Sequence, residues 1–221
     1  MTLDAQLVAD RHAAVRARLD AAGGHDVKIL AVTKGFGPEA LAIAGDLGLH
    51  DVGENYAQEL IAKLQPVRPT GLRVHFIGRL QTNKVVSLAA VVDVWQSIDR
   101  ASLVDTLAKR VPGARAFVQV NVSEEPQKGG CPRDQADALV AYSRRAGLDI
   151  VGLMTVGKAG EPAEIAVGFR WLRSAADRME LAECSMGMSG DLEIAVGEGA
   201  TMVRVGSALF GDRPGIDARN N

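Results

Sequence analysis

Eight short apolar runs alternate with segments of helical periodicity along the chain, and this alternation limits the possible folds more than any single motif. Short apolar runs bounded by turn residues indicate buried strands, and amphipathic segments between them favour helices that connect parallel strands. The predicted strands span residues 28–34, 50–54, 73–78, 92–98, 115–122, 149–156, 183–188 and 201–206. The sequence therefore predicts an α/β protein built around a parallel sheet.

The segments between the strands begin with helix start signals. Pro38 and Pro132 each suit the first turn of a helix. Glu161 and Pro162 open a third helix, and Asp99 is expected to cap the helix after the fourth strand. An additional amphipathic helix precedes the first strand, with an apolar stripe formed by Leu3, Leu7, Val8, Val15 and Leu19. Eight strands and seven intervening helices predict a single (β/α)8 TIM barrel over residues 1–221, with a doubly wound open sheet as the alternative.

Charge and composition exclude several classes of function. The net charge is −2, from 25 basic and 27 acidic residues, and no basic cluster offers a surface for nucleic acid. No apolar run approaches the ~18 residues that a membrane span requires, and the amphipathic N-terminus of mixed charge is unlike a signal peptide. Cys131 and Cys184 are too few for a zinc site or a disulfide framework. We expect a cytoplasmic protein that holds no metal and binds neither nucleic acid nor a membrane.

Polar residues collect where the predicted strands end, which is the edge of a parallel barrel that forms active and binding sites. This set comprises Thr33 with Lys34, Glu54 with Asn55, His75, Gly78 with Arg79, Ser97, Asn121, Thr155, Ser185 with Ser189, and Arg204 with Ser207. The pattern predicts a functional site at the carboxyl ends of the strands.

The end of the first predicted strand allows two interpretations. Residues 35–40, GFGPEA, match a dinucleotide fingerprint of the G-x-G-x-x-A type. Against a dinucleotide site, Pro38 removes a backbone donor that would face a pyrophosphate. Alternatively Lys34 is the functional residue, since desolvation favours the neutral amine and a neutral amine can attack an aldehyde to form a Schiff base. A solvated lysine at a strand end is the structural alternative.

Two segments near the C-terminus predict a phosphate site. Residues 185–190, SMGMSG, end a strand and open a helix, where backbone amides and the Ser189 hydroxyl suit an anion. The next strand ends in residues 204–207, RVGS, and the amides of Gly206 and Ser207 are expected to reach the same anion. Loops after the seventh and eighth strands form the recurrent phosphate site of this fold, although turn and capping roles would also explain either segment alone.

Six segments spread from the first strand to the last form a combined pattern. They read AVTK (31–34), VGENYAQEL (52–60), HFIGRLQTNK (75–84), SIDR (97–100), GLMTV (152–156) and SMGMSGDLEIAVGEGATMVRVGSALFG (185–211). Together they resemble the pyridoxal phosphate homeostasis proteins, the YggS/PROSC family, whose fold is similar to the N-terminal barrel of alanine racemase. The departures are small: Cys184 stands where leucine is common, and Ser207 where threonine is frequent.

The resemblance implies that pyridoxal 5′-phosphate (PLP) is held as an aldimine, a covalent Schiff base, on Lys34. It places Asn55 near the cofactor ring and Arg204 opposite the pyridine nitrogen. The phosphate region that it implies consists of Met188, Ser189, Gly206 and Ser207. It also implies a role in intracellular PLP (vitamin B6) homeostasis.

Conventional catalysis is not expected. Arginine has no acceptor for a pyridinium N–H, so Arg204 would leave PLP a weaker electron sink than an aspartate would. The racemases draw a second acid–base, a tyrosine, from a separate C-terminal domain that this chain is expected to lack. Tyr56 is expected to pack at a helix start and Tyr142 to lie in an outer helix. We therefore expect a carrier or regulator with no catalytic residues, and a PLP-dependent amino-acid racemase is the alternative.

Some features are left open at this point. His75 suits a packed core histidine and a cofactor contact equally, and Cys131 receives no role. Without a dimer-forming second domain we expect a monomer. Direct transfer of PLP to PLP-dependent apoenzymes is left open.

Overall fold

The computed structural model describes residues 3–64, 70–158 and 160–212, and its eight parallel strands form a closed barrel. Each strand pairs with its neighbours in chain order, and β1 pairs with β8 to close the sheet. The strands are β1 (Lys28–Val32), β2 (Asp51–Glu54), β3 (Arg73–Phe76), β4 (Val94–Ile98), β5 (Arg115–Gln119), β6 (Asp149–Met154), β7 (Glu183–Ser185) and β8 (Met202–Val205). The predicted (β/α)8 barrel is confirmed, and the open-sheet alternative is wrong.

Helices surround the barrel and follow the strands in alternation. They are α1 (Ala5–Ala21), α2 (Glu39–Asp46), α3 (Ala57–Leu64), α4 (Val85–Leu88), α5 (Ala101–Arg110), α6 (Ala136–Arg145), α7 (Pro162–Arg178), α8 (Leu192–Gly197) and α9 (Ser207–Phe210). Short 3₁₀ turns at Thr82–Lys84 and Arg133–Gln135 lead into α4 and α6. Within the described ranges, no helix has both the length and the apolar character that a bilayer crossing requires.

The predicted cap at Asp99 is wrong. Helix α5 begins after Arg100, which makes no side-chain capping bond. The Asp99 carboxylate instead pairs with Arg100 Nη1 at 2.6 Å, and Arg100 Nη2 donates to the Leu80 carbonyl at 3.0 Å. Asp99 therefore helps to tie the end of β4 to the loop that follows β3.

The extra N-terminal helix is confirmed as α1, and it is capped by Asp4, whose side chain accepts hydrogen bonds from the backbone N–H groups of residues 6 and 7. Val8, Val15 and Leu19 are buried, whereas Leu7 is 45% exposed and does not belong to the apolar stripe. The helix packs against α8 and α9. It therefore adjoins the elements that follow the last two strands.

Most of the apolar core lies between the barrel wall and the helices. Successive strand residues point to opposite faces, so only alternate residues fill the barrel interior. Val94, Phe117 and Met154 form a separate, smaller apolar cluster. Gly53 provides space in the wall, because a Cβ there would collide with the side chains of Leu30 and Ile77. Several buried strand residues are polar, among them His75, Gln96, Ser185 and Arg204, and these lead to the candidate site.

Candidate functional site

Strand register places Lys34 beside the residues that follow β2 and β8. Val32 pairs with Gly53 of β2, so Lys34 and Asn55 each lie two residues beyond a matched pair. On the other side, Ala31 pairs with Val205, which puts Gly206 and Ser207 next to the end of β1. Lys34 is half-buried, and Ser207 is exposed. Three predicted site segments therefore meet at the carboxyl edge of the barrel.

A buried ion pair supports the backbone just before Lys34. Lys63 of α3 is only 4% exposed, and its Nζ donates to the Thr33 carbonyl at 2.8 Å and to Glu54 Oε1. The Thr33 hydroxyl donates to the same Glu54 oxygen at 2.5 Å. Burial raises the pKa of the Glu54 carboxyl, although the ion pair and both hydrogen bonds act in the opposite direction.

Glu59 of α3 extends this support to the other side of Lys34. Its Oε1 accepts a hydrogen bond from the Gly35 backbone N–H at 2.5 Å and one from Lys63 Nζ at 3.1 Å. Gly35 has a positive φ of 80°, a conformation that favours glycine. The residues on both sides of Lys34 are thus tied to the α3 region. Lys63 and Glu59 were missed in the sequence because helical charged residues are ordinarily solvated.

Asn55 presents a buried polar atom toward this edge. Its Oδ1 has no hydrogen-bond partner among the described residues. Gly78 lets the end of β3 approach closely, because a Cβ there would collide with the Asn55 carbonyl. A buried acceptor without a partner costs about 1–3 kcal/mol, so a ligand that donates a hydrogen bond would be favoured. The Ser97 hydroxyl at the end of β4 is likewise buried without a partner in the described ranges.

The loops after β7 and β8 lie side by side and present backbone donors. The Arg204 backbone N–H donates to the Gly187 carbonyl at 2.9 Å, which extends the pairing of β7 with β8. The backbone amides of Ser189, Gly190, Gly206 and Ser207 donate no hydrogen bond to another described backbone group. These amides form the donor set that the sequence predicts for an anion.

The loop between β7 and α8 is held by one carboxylate and by the N-terminal helix. Asp191 Oδ1 accepts the Met188 backbone N–H at 2.5 Å, so this amide is engaged, while the Met188 side chain is 40% exposed. Arg18 of α1 donates from Nη2 to the Ser189 carbonyl at 3.1 Å and from Nε to Glu193 at 2.7 Å. Sequence reasoning missed Arg18, because 171 residues separate it from Ser189.

Arg204 is fixed inside the barrel by acceptors at the end of β7 and just after β6. It is 5% exposed, and its Nη1 donates to the carbonyl and the hydroxyl of Ser185 at 2.7 and 3.0 Å. Its Nη2 donates to the Thr155 carbonyl at 2.6 Å. Burial lowers the pKa of Arg204 to about 10, opposed by the charge of Asp191. The group is therefore a cation at neutral pH, and the guanidinium has N–H groups beyond those already used.

The residues left open in the sequence are placed as follows. His75 is 2% exposed and bonds to Asp51 at 2.8 Å, as a packed interior histidine would. Tyr56 stands at the start of α3, as predicted, but its side chain is 56% exposed, so the expected packing is wrong. Tyr142 lies in α6, as predicted, and donates to Asp105 at 2.5 Å. Burial raises the pKa of the Cys131 thiol to about 12, which leaves it inert at neutral pH.

Comparison with known proteins places the chain among relatives of one kind. Residues 4–214 match the model of the alanine racemase N-terminal domain. A pyridoxal phosphate homeostasis protein of Pseudomonas aeruginosa is 37% identical over 96% of this chain and 97% of its own length. One from Aquifex aeolicus is 37% identical over 86% of this chain and 89% of its own length. The chain belongs to the pyridoxal phosphate homeostasis protein family.

Solved structures agree with this family. PipY of Synechococcus elongatus, solved without PLP, has a TM-score of 0.83 and 31% identity, and the match covers 92% of this chain and all of that one. The same protein solved with PLP bound has a TM-score of 0.80 and 30% identity, with the same coverage. The resemblance read from the sequence is confirmed.

Proposed function

We propose that this chain binds PLP at the carboxyl end of its barrel, attached to Lys34, and takes part in PLP homeostasis. The observation that carries the proposal is the register that sets Lys34 beside Asn55 and next to the loop at Ser207. The Asn55 amide oxygen has no hydrogen-bond partner in the part of the chain that the structure describes. The PipY structure with PLP bound and the names of the curated relatives support it. The single domain over residues 1–221, the cytoplasmic location and the monomeric state stay predictions.

The donor set fits this cofactor. A phosphate suits the four backbone amides of the two loops, with the hydroxyls of Ser189 and Ser207 beside them. Asn55 Oδ1 offers an acceptor and Arg204 a cation. PLP supplies an aldehyde whose carbon forms a C=N bond with the lysine amine, while the aldehyde oxygen leaves as water. Met188 contributes its exposed side chain, since its own amide is already bonded to Asp191.

Arg204 favours a carrier or regulator over a racemase. Its guanidinium has only donors, so it accepts no proton from a pyridinium nitrogen. Three oxygens accept hydrogen bonds from this guanidinium in the described structure: the carbonyl and the hydroxyl of Ser185 and the carbonyl of Thr155. In this proposal its remaining N–H groups face the ring. Electron withdrawal by the ring would then be weak. We include direct delivery of PLP to apoenzymes in the same proposal.

The test combines spectroscopy with chemical labelling. We expect the purified protein to take up PLP and turn yellow, and borohydride to fix the label on Lys34. Lys34→Ala should lose the label and retain weaker, phosphate-anchored binding, whereas Lys109→Ala, an exposed lysine of α5, should behave as the parent. A protein that takes up no PLP, or a label that survives in Lys34→Ala, contradicts the proposal.

Two further assays separate the candidate activities. Incubation with single-enantiomer amino acids should give no α-proton exchange, and measurable racemisation would favour the enzyme alternative. Mixing the loaded protein with a PLP-dependent apoenzyme should restore the activity of that enzyme faster than release into buffer does. Equal rates with and without an added trap for free PLP would support direct transfer, and a rate that falls to zero with the trap would contradict it.

A further inference from the structure

A continuous hydrogen-bond network crosses the interior of the barrel and ends on Arg204. Its members come from five strands and are each at most 9% exposed: Asp51, His75, Gln96, Ser185 and Arg204. We call this set the interior network. It connects the first residue of β2, at the amino edge of the barrel, with the arginine that lies near the carboxyl edge.

The bonds of the interior network form an unbroken series. Asp51 Oδ1 lies 2.8 Å from His75 Nε2, and His75 Nδ1 lies 2.8 Å from Gln96 Nε2. Gln96 Oε1 lies 2.8 Å from the Ser185 hydroxyl, which lies 3.0 Å from Arg204 Nη1. The sequence gives no hint of this series, because 89 residues separate Gln96 from Ser185.

Arg204 fixes the direction of every bond in the interior network. A guanidinium can only donate, so the Ser185 hydroxyl accepts from Arg204. Its single proton then goes to the acceptor that it reaches among the described residues, Gln96 Oε1 at 2.8 Å. The amide nitrogen of Gln96 must then face His75 Nδ1, with Met202 Sδ at 3.3 Å as a second, weak acceptor. Reversing the amide would set its N–H₂ group against the hydroxyl proton.

The same reasoning fixes the state of His75. Its Nδ1 must accept a hydrogen bond, so the imidazole is neutral and its Nε2–H donates to Asp51. Burial lowers the pKa of His75, opposed by the bond to Asp51, while the more distant charges of Arg73 and Asp93 act in opposite directions. The neutral form is thus favoured by the environment as well as by the bonding pattern.

An interior network of this kind is not explained by stability. Barrel interiors are ordinarily filled by branched aliphatic side chains, and buried polar groups stabilise a fold no better than well-packed apolar ones. The interior network has one fully satisfied arrangement, which gives it orientational rigidity. The interior network thereby restricts the orientation of the Arg204 guanidinium, because Nη1 donates hydrogen bonds to both oxygens of Ser185.

We propose that Gln96 is a positioning residue for Arg204, acting through the Ser185 hydroxyl, with the neutral His75 ring fixing the orientation of the Gln96 amide. The consequence for PLP rests on the proposed function: the interior network would hold the Arg204 guanidinium in the position where it faces the PLP ring. Its geometric content belongs to the protein without cofactor and can be tested there.

The first test uses the cofactor-free protein. Nitrogen-15 NMR of the His75 ring at pH 7.5 should show a protonated Nε2 and an unprotonated Nδ1; a protonated Nδ1 would overturn the direction assigned to the interior network. In Gln96→Met, which keeps length and apolar bulk, the Arg204 Nε–H should exchange with solvent roughly tenfold faster, in line with the loss of about one hydrogen bond. Unchanged exchange would overturn the positioning role.

The second test compares three variants by PLP titration. Gln96→Met should weaken binding roughly fivefold, as expected for one neutral hydrogen bond. Gln96→Glu keeps an acceptor toward Ser185 and should bind within about twofold of the parent, as should the control Gln6→Met, which makes the same exchange at an exposed glutamine of α1. A purely structural role predicts the reverse order, because methionine packs without a polar group while glutamate buries a carboxyl.

The two tests keep this proposal separate from the proposed function. If the parent protein fails to bind PLP, the proposed function is wrong, and the NMR and exchange measurements still decide the direction and the positioning role. If the parent binds PLP and Gln96→Met binds equally well with unchanged Arg204 exchange, the proposed function stands and the role of Gln96 is overturned.

Discussion

Lys63 shows at the scale of one residue how the end of β1 is held in place. A lysine is rarely buried unless its ammonium is paired, and here Nζ contacts a carbonyl and two carboxylates from three different positions. These contacts fix the residues before and after Lys34. A strand end held in this way would restrict the orientation of Lys34, the proposed attachment point of PLP.

Removing the Lys63 ammonium should therefore destabilise the fold. In Lys63→Met the Glu54 carboxylate loses its cation and, among the described residues, keeps the bond from Thr33. An unpaired buried charge costs about 3–5 kcal/mol. We expect urea denaturation to show a loss of this size, of which the double variant Lys63→Met with Glu54→Gln regains a part. Lys158→Met, which breaks an exposed pair with Glu164, should change the free energy of unfolding by under about 1 kcal/mol. Equal losses in the two single variants would contradict a structural role for the buried pair.

At the scale of elements, α1 supports the loop between β7 and α8. Arg18 is 40% exposed in its side chain, and its pair with Glu193 is a surface pair of small energetic value. Its bond to the Ser189 carbonyl acts differently, because it holds the backbone that presents the proposed phosphate donors. The extra helix thus has a function in the barrel beyond covering apolar surface.

Arg18→Ala should separate these two effects. We expect a change in the free energy of unfolding below about 1 kcal/mol and PLP binding weakened roughly threefold to tenfold, for one lost charge-assisted bond to the loop. Thermal denaturation and PLP titration measure the two quantities. Arg178→Ala, which removes an exposed pair with Asp137 far along α7, is the matched control and should leave PLP affinity unchanged. Affinity equal to the parent in Arg18→Ala would show that α1 does not support the site.

All eight strands were predicted at their observed places, because a barrel strand buried on both faces reads as a continuous apolar run. The carboxyl ends of β2 and β4 were predicted correctly, and those of the other six strands were predicted one to three residues too far along the chain. The first strand ends at Val32 instead of residue 34, and the seventh at Ser185 instead of residue 188. In both loops a glycine with positive φ, Gly35 at 80° and Gly187 at 90°, turns the chain out of the sheet. Propensity identifies an apolar run, whereas the turn depends on local backbone geometry.

Only part of the candidate site was predictable. Lys34 and Asn55 stand at the ends of adjacent strands, so the (β/α)8 pattern alone brings them together. Lys63 was not predictable, because its burial depends on how α3 packs against the strand ends. Gln96 was missed for a related reason: its contact with Ser185 crosses the closed barrel and depends on strand register.

At the scale of the whole molecule, closure of the barrel creates two environments. Outside the wall, apolar side chains pack against helices, and inside it the interior network occupies space that is usually aliphatic. The outer layer provides most of the apolar burial. The interior therefore tolerates polar groups, and the stability of the molecule becomes sensitive to their ionisation.

The free energy of unfolding should fall as the pH drops below about 6.5, the ordinary pKa of histidine. Burial lowers the pKa of His75 in the folded protein, so the unfolded chain takes up a proton first and stability is lost with acidification, by up to ~1.4 kcal/mol per pH unit. The pKa of Asp51 is also lowered, because the His75 bond and nearby cations outweigh burial. Protonation of Asp51 therefore lowers the free energy of unfolding further, but only below about pH 3.8. Urea denaturation between pH 7.5 and 5 measures the slope of the free energy of unfolding against pH. This slope should be the same in the parent and in the exposed control His25→Gln, and flatter in His75→Gln. A slope in His75→Gln as steep as that of the parent would mean that another group takes up the proton, and that the neutral His75 ring does not govern the acid sensitivity of the barrel.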